Sequence, residues 1–514
     1  MLTGQMLQRS AKRFPDKPAI ICGGEQLSYR ELDCKANQLA NALLGLGLKK
    51  GAKVAILSRN LPEYGVVFFG VARTGYVLTN ISVLYAPDEL AYVLEKADVE
   101  VLIFDDAFAE KATAVLSRLP RLKFLIGFGK SPTLPDAQNF DDFISAHSSQ
   151  APSVELSEWD PFCMTYTGGT TGRPKGVLCN HRARAVTAHT VMVEEAIDER
   201  DRVGIVTPLF HVAALNIMFQ PAILAGATTL FLPKWEPASF VAMVAQHSMT
   251  ANFMVPTQAA MLLNDESLDP EALQSWRKVS FAGAPMPDWV QTELRSRLPE
   301  LSLTQIYGQS EMGVIAVLRN WYLPEKLGSV GRQPYNVDVR IVDAEGCNIA
   351  PGEIGEVVSR GDNLMIEYYN EPEQTQEFFK LGNGWGWSGD LATIDEDGFI
   401  TLIDRSKDMI ISGGENIYPK EIETVIYELP QVAECAVFGV PDDKWGEVPA
   451  AYLQLKPNAE LTEEEVTEHC ANKLARFKRP RTVRFVDDFP KTPIGKIQKN
   501  VLKETFWSGR RKKI

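Results

Sequence analysis

No two cysteines of this 514-residue chain stand at C-x-x-C spacing; Cys22, Cys34, Cys163, Cys179, Cys347, Cys435 and Cys470 are an odd, scattered set. That pattern suits no disulfide framework and fits a reducing compartment, so a cytoplasmic location is expected. Histidine is scarce as well, with six in all and none close-spaced, and no structural zinc site suggests itself. Positive charge is in deficit: 53 Lys and Arg face 66 Asp and Glu, a net charge of −13. General nucleic-acid binding, which needs basic surface to displace counterions, is thereby disfavoured. The dense basic run from Arg510 to Lys513 reads as a solvated tail. The N-terminal "MLTGQMLQRSAKRFPDK" lacks the apolar core of a signal peptide. Gly204 to Pro233 carries no acidic or basic side chain, but Pro208, His211, Asn216, Gln220 and Pro221 interrupt it. Each is costly in lipid without a protein partner, so buried core or pocket wall, and no transmembrane segment, is the expectation.

What is present is ordinary globular material, 45% apolar and 23% charged, in a chain long enough for two or more domains. The first half alternates helical and strand patterns. "YRELDCKANQLANALLGLGL" spaces Leu32, Ala36, Leu39, Leu43 and Leu46 helically, "KVAILS" and "VEVLIF" read as strands, and "PEYGVVFFGVARTG" reads as a helix between them. An α/β fold with helix-covered sheets follows. From about Gly328, short β-rich runs broken by Gly and Pro suggest a small antiparallel subdomain. After Arg405 "KEIETVIYEL" and "TEEEVTEHCANKLA" read as helices, "VAECAVFGV" and "AAYLQLK" as strands. The expected domains are 1–404 and a small α+β unit over 405–514.

"TGGTTGRPKG", Thr167 to Gly176, follows the strand candidate "FCMTYT", and "GVLCNHRARAVTAH" behind it leads into a helix. Glycine tolerates positive φ, so successive N–H groups can turn inward as an anion nest. Thr167, Thr170 and Thr171 add hydroxyls, and Lys175 adds a positive charge behind Pro174. It is not a Walker A loop, since Lys175 precedes Gly176 rather than Ser or Thr. Alone, the stretch leaves linker and phosphate site both open.

The chain resembles the adenylate-forming superfamily, which includes acyl-CoA synthetases, peptide-synthetase adenylation domains and beetle luciferases. The glycine-threonine loop is followed, in family order, by "YGQSE" (Tyr307 to Glu311), "GWGWSGDLA" (Gly384 to Ala392), "DRSKDMIISGGENIYPKEIE" (Asp404 to Glu423) and "KTPIGKIQK" (Lys491 to Lys499). The resemblance implies a mobile C-terminal domain and a two-step reaction using ATP, Mg²⁺ and coenzyme A. A carboxylate attacks the α-phosphorus of ATP to give an acyl adenylate and pyrophosphate; a thiol then displaces AMP. It also implies the roles of individual residues. Gly168, Gly169, Thr170, Thr171, Gly172 and Lys175, with Thr167, cradle phosphate. Glu311 holds the metal, with Ser310 in place of the commoner Thr. Tyr307 packs on adenine beside Gly308, and Ala282, Gly283, Ala284 and Pro285 line the adenine and acyl sites. Asp390 accepts from the ribose hydroxyls, Arg405 contacts ribose and phosphate, and Ser388 again replaces Thr. Lys496 bridges the carboxylate and the α-phosphate, a role suited to a compact ammonium on a flexible stem.

His211, after Phe210, stands where peptide-synthetase domains generally carry an aspartate for an amino acid's ammonium. A substrate without an α-amino group is therefore favoured, with His211 gating an acyl pocket that includes Ala282, Gly283 and Gly308. For a lone histidine in an apolar run, a satisfied core position is the competing reading. Gly413, Gly414, Trp445, Phe477, Arg479 and Arg481 resemble contacts to coenzyme A, and Lys407 resembles the pivot between half-reactions. The substrate expected is a fatty or aromatic monocarboxylate, and the enzyme a monomer or homodimer. An adenylate-only or luciferase-like enzyme with another acceptor is the alternative, with a non-catalytic nucleotide-binding homologue behind it.

Overall fold

The computed structural model describes residues 1–129, 134, 136–167, 174–284, 286–413, 415–491 and 497–507. Contacts divide the chain into two compact units. One takes in the described residues up to Asp338 together with Ser359–Gly386; the other takes in Val339–Val358 and the described residues from Trp387 onward.

The strands Thr228–Phe231 and Ala251–Met254 are buried at every residue, as strands inside a sheet covered on both sides are. The first unit builds two such sheets. In one, the strands run in the order Gly313–Leu318, Ser302–Gln309, Lys278–Phe281, Ala251–Met254, Arg202–Ile205, Thr228–Phe231, Pro18–Cys22 and Glu25–Ser28. Its pairings from Ser302–Gln309 through to Pro18–Cys22 are parallel. The other runs Glu367–Tyr368, Lys175–Asn180, Pro161–Thr167, Val77–Ile81, Lys53–Leu57, Val99–Asp105, Phe124–Phe128 and Gln138–Asn139.

The helix Pro62–Val71 shows why the two sheets share one core. Every one of its residues except Glu63 is buried, and a helix apolar all round must be covered all round. It packs against Pro18–Cys22 of the first sheet and against Lys53–Leu57 and Val77–Ile81 of the second. Phe68 meets Phe162 edge-on at 5.3 Å and Phe219 at 6.0 Å. The helix Tyr29–Gly45, opened by a Ser28–Glu31 capping box, buries Leu32, Ala36, Leu39 and Leu43 against it. The uncharged run from Gly204 onward forms a strand end, a π-helical turn Ala213–Phe219 with every residue buried, and the helix Gln220–Ala225. It is core, as expected.

The segment behind the glycine-threonine loop leads into a helix, as expected, by way of a strand that the sequence did not show. Lys175–Asn180 is first a strand, paired antiparallel with Pro161–Thr167, and only then does the Asn180-capped helix His181–Glu194 begin.

The second unit holds all but the end residues of a four-stranded sheet, in the order Asp338–Val342, Gly355–Arg360, Gly386–Ile394, Ile400–Arg405. Its other sheet runs Glu415–Ile417, Ile410–Ser412, Gly446–Leu455, Val432–Asp442, with Thr482–Phe485 also paired to Gly446–Leu455. Ile417, Ile422, Ile426, Val437, Leu453 and Cys470 form the core on one side; Phe438, Tyr452 and Phe489 lie in another.

Candidate active site

In a parallel sheet, side chains that leave the carboxyl ends of strands emerge at one edge, where α/β proteins place their ligands. Three parallel strands of the first sheet end this way in motif residues. Arg202–Ile205 leads to His211, Lys278–Phe281 to Ala282, Gly283 and Ala284, and Ser302–Gln309 carries Tyr307 and Gly308 and leads to Ser310 and Glu311. Gly283 sits at φ +91°, a conformation that favours glycine. Pro285 lies outside the described residues.

Gly308 is glycine for a steric reason. A Cβ there would lie 2.1 Å from the carbonyl oxygen of Gly313 in the partner strand. The ladder shifts register between Tyr307 and Gly308. Tyr307 is thereby buried while Gly308 stays exposed.

The second sheet supplies the facing groups. Thr167 pairs with Lys175, Thr165 with Val177, Cys163 with Cys179, and Tyr368 with Val177 from the other side. Directly opposed residues share a face of a sheet, so Thr167, Lys175 and Tyr368 stand on the same one. Gly168, Gly169, Thr170, Thr171 and Gly172 lie outside the described residues. Gly176 lets the strand pass Tyr166, whose ring would meet a Cβ at 3.1 Å.

Glu311 and Lys175 converge on Tyr368. The Tyr368 hydroxyl donates to Glu311 Oε1 at 2.9 Å, and the Lys175 ammonium lies 5.1 Å from the centroid of the same ring. The backbone N–H of Met365 donates to the Glu311 carbonyl at 2.7 Å, and that of Tyr369 to the Gly176 carbonyl at 2.8 Å. The segment Met365–Tyr369 therefore ties the "YGQSE" turn to the hairpin that flanks the glycine-threonine loop. Tyr368 was not singled out in the sequence: "EYYN" matches no chemical pattern, and its partners are set by folding.

His211 is half-buried just ahead of the π-helical turn, and its Nδ1 accepts from the Ala213 N–H at 3.2 Å. π-Turns recur at functional sites.

In the second unit, Asp390 and Arg405 are register partners of adjacent antiparallel strands, and Arg405 Nε donates to Asp390 Oδ1 at 3.0 Å. Asp390 is buried to 6% exposure. Ser388 accepts from the Asp390 N–H at 3.0 Å and donates to the Val357 carbonyl at 2.7 Å, which fixes the turn. Lys407 is an exposed residue whose amine is nevertheless crowded. Desolvation first, then Arg405, lowers its pKa to about 8, against the opposite pull of Asp408 and Asp390.

Gly413 and Trp445 are in direct contact. Gly413 stands at φ +61°, a Cβ there would lie 2.7 Å from the Trp445 ring, and the Gly413 N–H donates to the Trp445 carbonyl at 2.8 Å. Phe477 and Trp445 are exposed at 40% and 42%, and Lys444 stands over the indole. Arg479 is engaged within the fold, donating to the carbonyls of Leu474 and Ala471 at the end of the helix Glu463–Lys473. Arg481 is exposed. Gly414 and Lys496 lie outside the described residues.

The model of the AMP-binding enzyme family matches residues 7–369, and that of the AMP-binding enzyme C-terminal domain matches 421–496. The chain belongs to the AMP-binding enzyme family. It is 34% identical to a feruloyl-CoA synthase of Amycolatopsis sp over 97% of this chain and 98% of that one. It is 33% identical to the long-chain-fatty-acid–CoA ligase FadD13 of Mycobacterium tuberculosis, over 98% of each chain. Among solved structures, ATP-bound MatB from Rhodopseudomonas palustris superposes with a TM-score of 0.89 at 29% identity, covering 99% of this chain and 100% of that one. This AMP-binding enzyme is accordingly an adenylate-forming, AMP-releasing ligase of the acyl-CoA synthetase kind, with the mixed α/β fold expected of it.

Among its described residues no helix is long and apolar enough to cross a membrane. Nor do three or more His, Cys, Asp or Glu side chains cluster there as metal ligands. Glu311 fits a different kind of metal site: Mg²⁺ takes hard oxygen ligands and is usually held by one or two carboxylates plus substrate phosphates.

Proposed function

We propose that this AMP-binding enzyme is an ATP-dependent acyl-CoA synthetase acting on a fatty or aromatic monocarboxylate. The observation that carries this reading is the convergence of Lys175 and Glu311 on Tyr368 beside a face that also bears Thr167. Its relatives' activities, on ferulate and on long-chain fatty acids, support the two acid classes.

In the first half-reaction a carboxylate oxygen of the acid attacks the α-phosphorus of ATP, and pyrophosphate leaves with the electron pair of the broken P–O bond. Two anions must be brought together, so charge neutralisation and positioning carry the catalysis. Lys175 supplies positive charge at the phosphates, Tyr307 packs on adenine between Gly308 and the Ala282–Ala284 segment, and Asp390 accepts from the ribose hydroxyls with Arg405 beside it. Bound Mg²⁺, held by Glu311, would neutralise the triphosphate and its departing pyrophosphate. Lys496 bridges carboxylate and α-phosphate. His211 closes the acyl pocket.

In the second half-reaction the coenzyme A sulfur, having lost its proton, attacks the acyl carbon and AMP departs. Gly413, Gly414 and Trp445 line the pantetheine path, with Phe477, Arg481 and Arg479 nearer its nucleotide. We place the functional domain boundary at 404/405 and the pivot at Lys407. A cytoplasmic enzyme, monomeric or homodimeric, fits this chemistry.

The test is pyrophosphate release measured with ATP and Mg²⁺ over alkanoates, benzoates, cinnamates and amino acids, each with and without coenzyme A. Alkanoates or aryl acids should release pyrophosphate and then consume coenzyme A to yield thioester and AMP. Activation of amino acids alone would overturn the substrate class, and adenylate formation without coenzyme A consumption would overturn the acceptor.

A further inference from the structure

We propose that Tyr368 is the positioning residue of the ATP–metal site, holding the Glu311 carboxylate in its ligating orientation through its hydroxyl and parking the Lys175 ammonium over its ring. The inference rests on the reading of Glu311 as the metal-holding residue.

A carboxylate that binds a metal through one oxygen must be kept from rotating about its last bond, and a donor on the other oxygen does this. Tyr368 donates to Glu311 Oε1 at 2.9 Å, a bond in which Oε2 takes no part. The hydroxyl is itself well fixed. Tyr368 is paired to Val177 in the strand ladder, its N–H donates to Thr375 Oγ1 at 3.0 Å, and its ring meets Phe378 edge-on at 6.1 Å. The residues it serves are fixed to the same segment by backbone bonds, through Met365 to the Glu311 carbonyl and through Tyr369 to the Gly176 carbonyl. Lys175 has 5.1 Å between its ammonium and the ring centroid, within the range of a cation–π contact. One aromatic side chain thus couples a cation and an anion that lie on different sheets and must act on one triphosphate.

The two functions separate by substitution. Tyr368→Phe keeps the ring under Lys175 and the packing on Phe378 but removes the donor to Glu311; Tyr368→Leu removes both. Binding of ATP to the whole enzyme is measured calorimetrically with and without Mg²⁺, with AMP as the metal-free reference and thermal midpoints as the folding control. In the parent, Mg²⁺ should tighten ATP binding. Tyr368→Phe should lower that Mg²⁺ enhancement roughly tenfold, the size of one hydrogen bond to a charged acceptor, with AMP affinity and thermal midpoint unchanged. Tyr368→Leu should in addition weaken metal-free ATP binding by several-fold, through the displaced lysine. Glu311→Gln is measured beside them. If it abolishes the enhancement while Tyr368→Phe leaves it intact, the positioning role is overturned and the Glu311 reading stands. If Glu311→Gln also leaves the enhancement intact, the Glu311 reading falls and the Tyr368 role falls with it.

Discussion

Glu195, the residue that ends the helix His181–Glu194, carries a carboxyl group in the core at 6% exposure. Burial raises its pKa to about 7, only partly offset by Ser280, Lys278 and Arg319. Its ordinary value is 4.5, so between these two pH values the folded chain holds a proton that the unfolded chain releases. The sign follows: for a carboxyl whose folded pKa is raised, stability falls as pH climbs from the unfolded to the folded value, and levels off above it. With those two values the loss between about pH 5.5 and about pH 8.5 amounts to ~2 kcal/mol. Glu195→Gln keeps the shape and removes the titration. The thermal midpoint of the variant, subtracted from that of the parent at matched pH, should therefore favour the parent most in acid and drift toward the variant by a few degrees as pH rises through 7. Titrating groups that do not interact with Glu195 cancel in that difference. A difference flat across the range would refute the assignment of a neutral, buried Glu195, and a drift of opposite sign would mean that Lys278 and Arg319 outweigh burial.

Three further outcomes separate the half-reactions. Lys496→Ala should cut pyrophosphate release by roughly 10²-fold through lost charge stabilisation, while preformed acyl adenylate and coenzyme A still yield thioester; equal loss of both steps would refute the division of labour. Lys407→Pro, which locks φ near −65°, should leave adenylate formation intact and lower thioester formation steeply, and unchanged thioester formation would remove Lys407 from the pivot. Gly413→Ala places a Cβ against the Trp445 indole at a φ of +61°, a strain of roughly 1–2 kcal/mol. It should slow the coenzyme A step several-fold without touching pyrophosphate release; loss of both would make the contact structural.

What was legible in the sequence depended on how far a residue's meaning is carried by its neighbours in the chain. The helix Tyr29–Gly45 and the strand Lys53–Leu57 follow from local apolar spacing and formed as read. The strand Lys175–Asn180 was hidden, because a few buried residues ahead of a helix carry no alternation and its partner Pro161–Thr167 is identified only by pairing. Tyr368 was hidden for a stronger reason: it reaches Glu311 across 57 positions of chain, and nothing in "EYYN" encodes that reach. Arg479 was legible only as a member of a basic run: that its guanidinium donates to the carbonyls of Leu474 and Ala471 is settled by folding, and nothing in "RFKRPR" encodes it.

The same distinction explains why a signature that looks like binding chemistry is partly steric. In "YGQSE" the glycine contributes no donor or acceptor of its own beyond the backbone. It permits the partner strand to approach where a Cβ would lie 2.1 Å from the Gly313 carbonyl. The register shift that results sends Tyr307 inward and lets the chain turn at Ser310 and Glu311 before Gly313 resumes the ladder at φ +63°. Gly313 in turn meets Thr187 of the helix His181–Glu194, whose hydroxyl would stand 2.9 Å from a Cβ. The position of the Glu311 carboxylate therefore depends on two glycines that shape the turn, and on one tyrosine from a distant strand that donates to it. The hairpin requires the glycines, and their placement together with Tyr368 brings Glu311 and Lys175 to one aromatic ring.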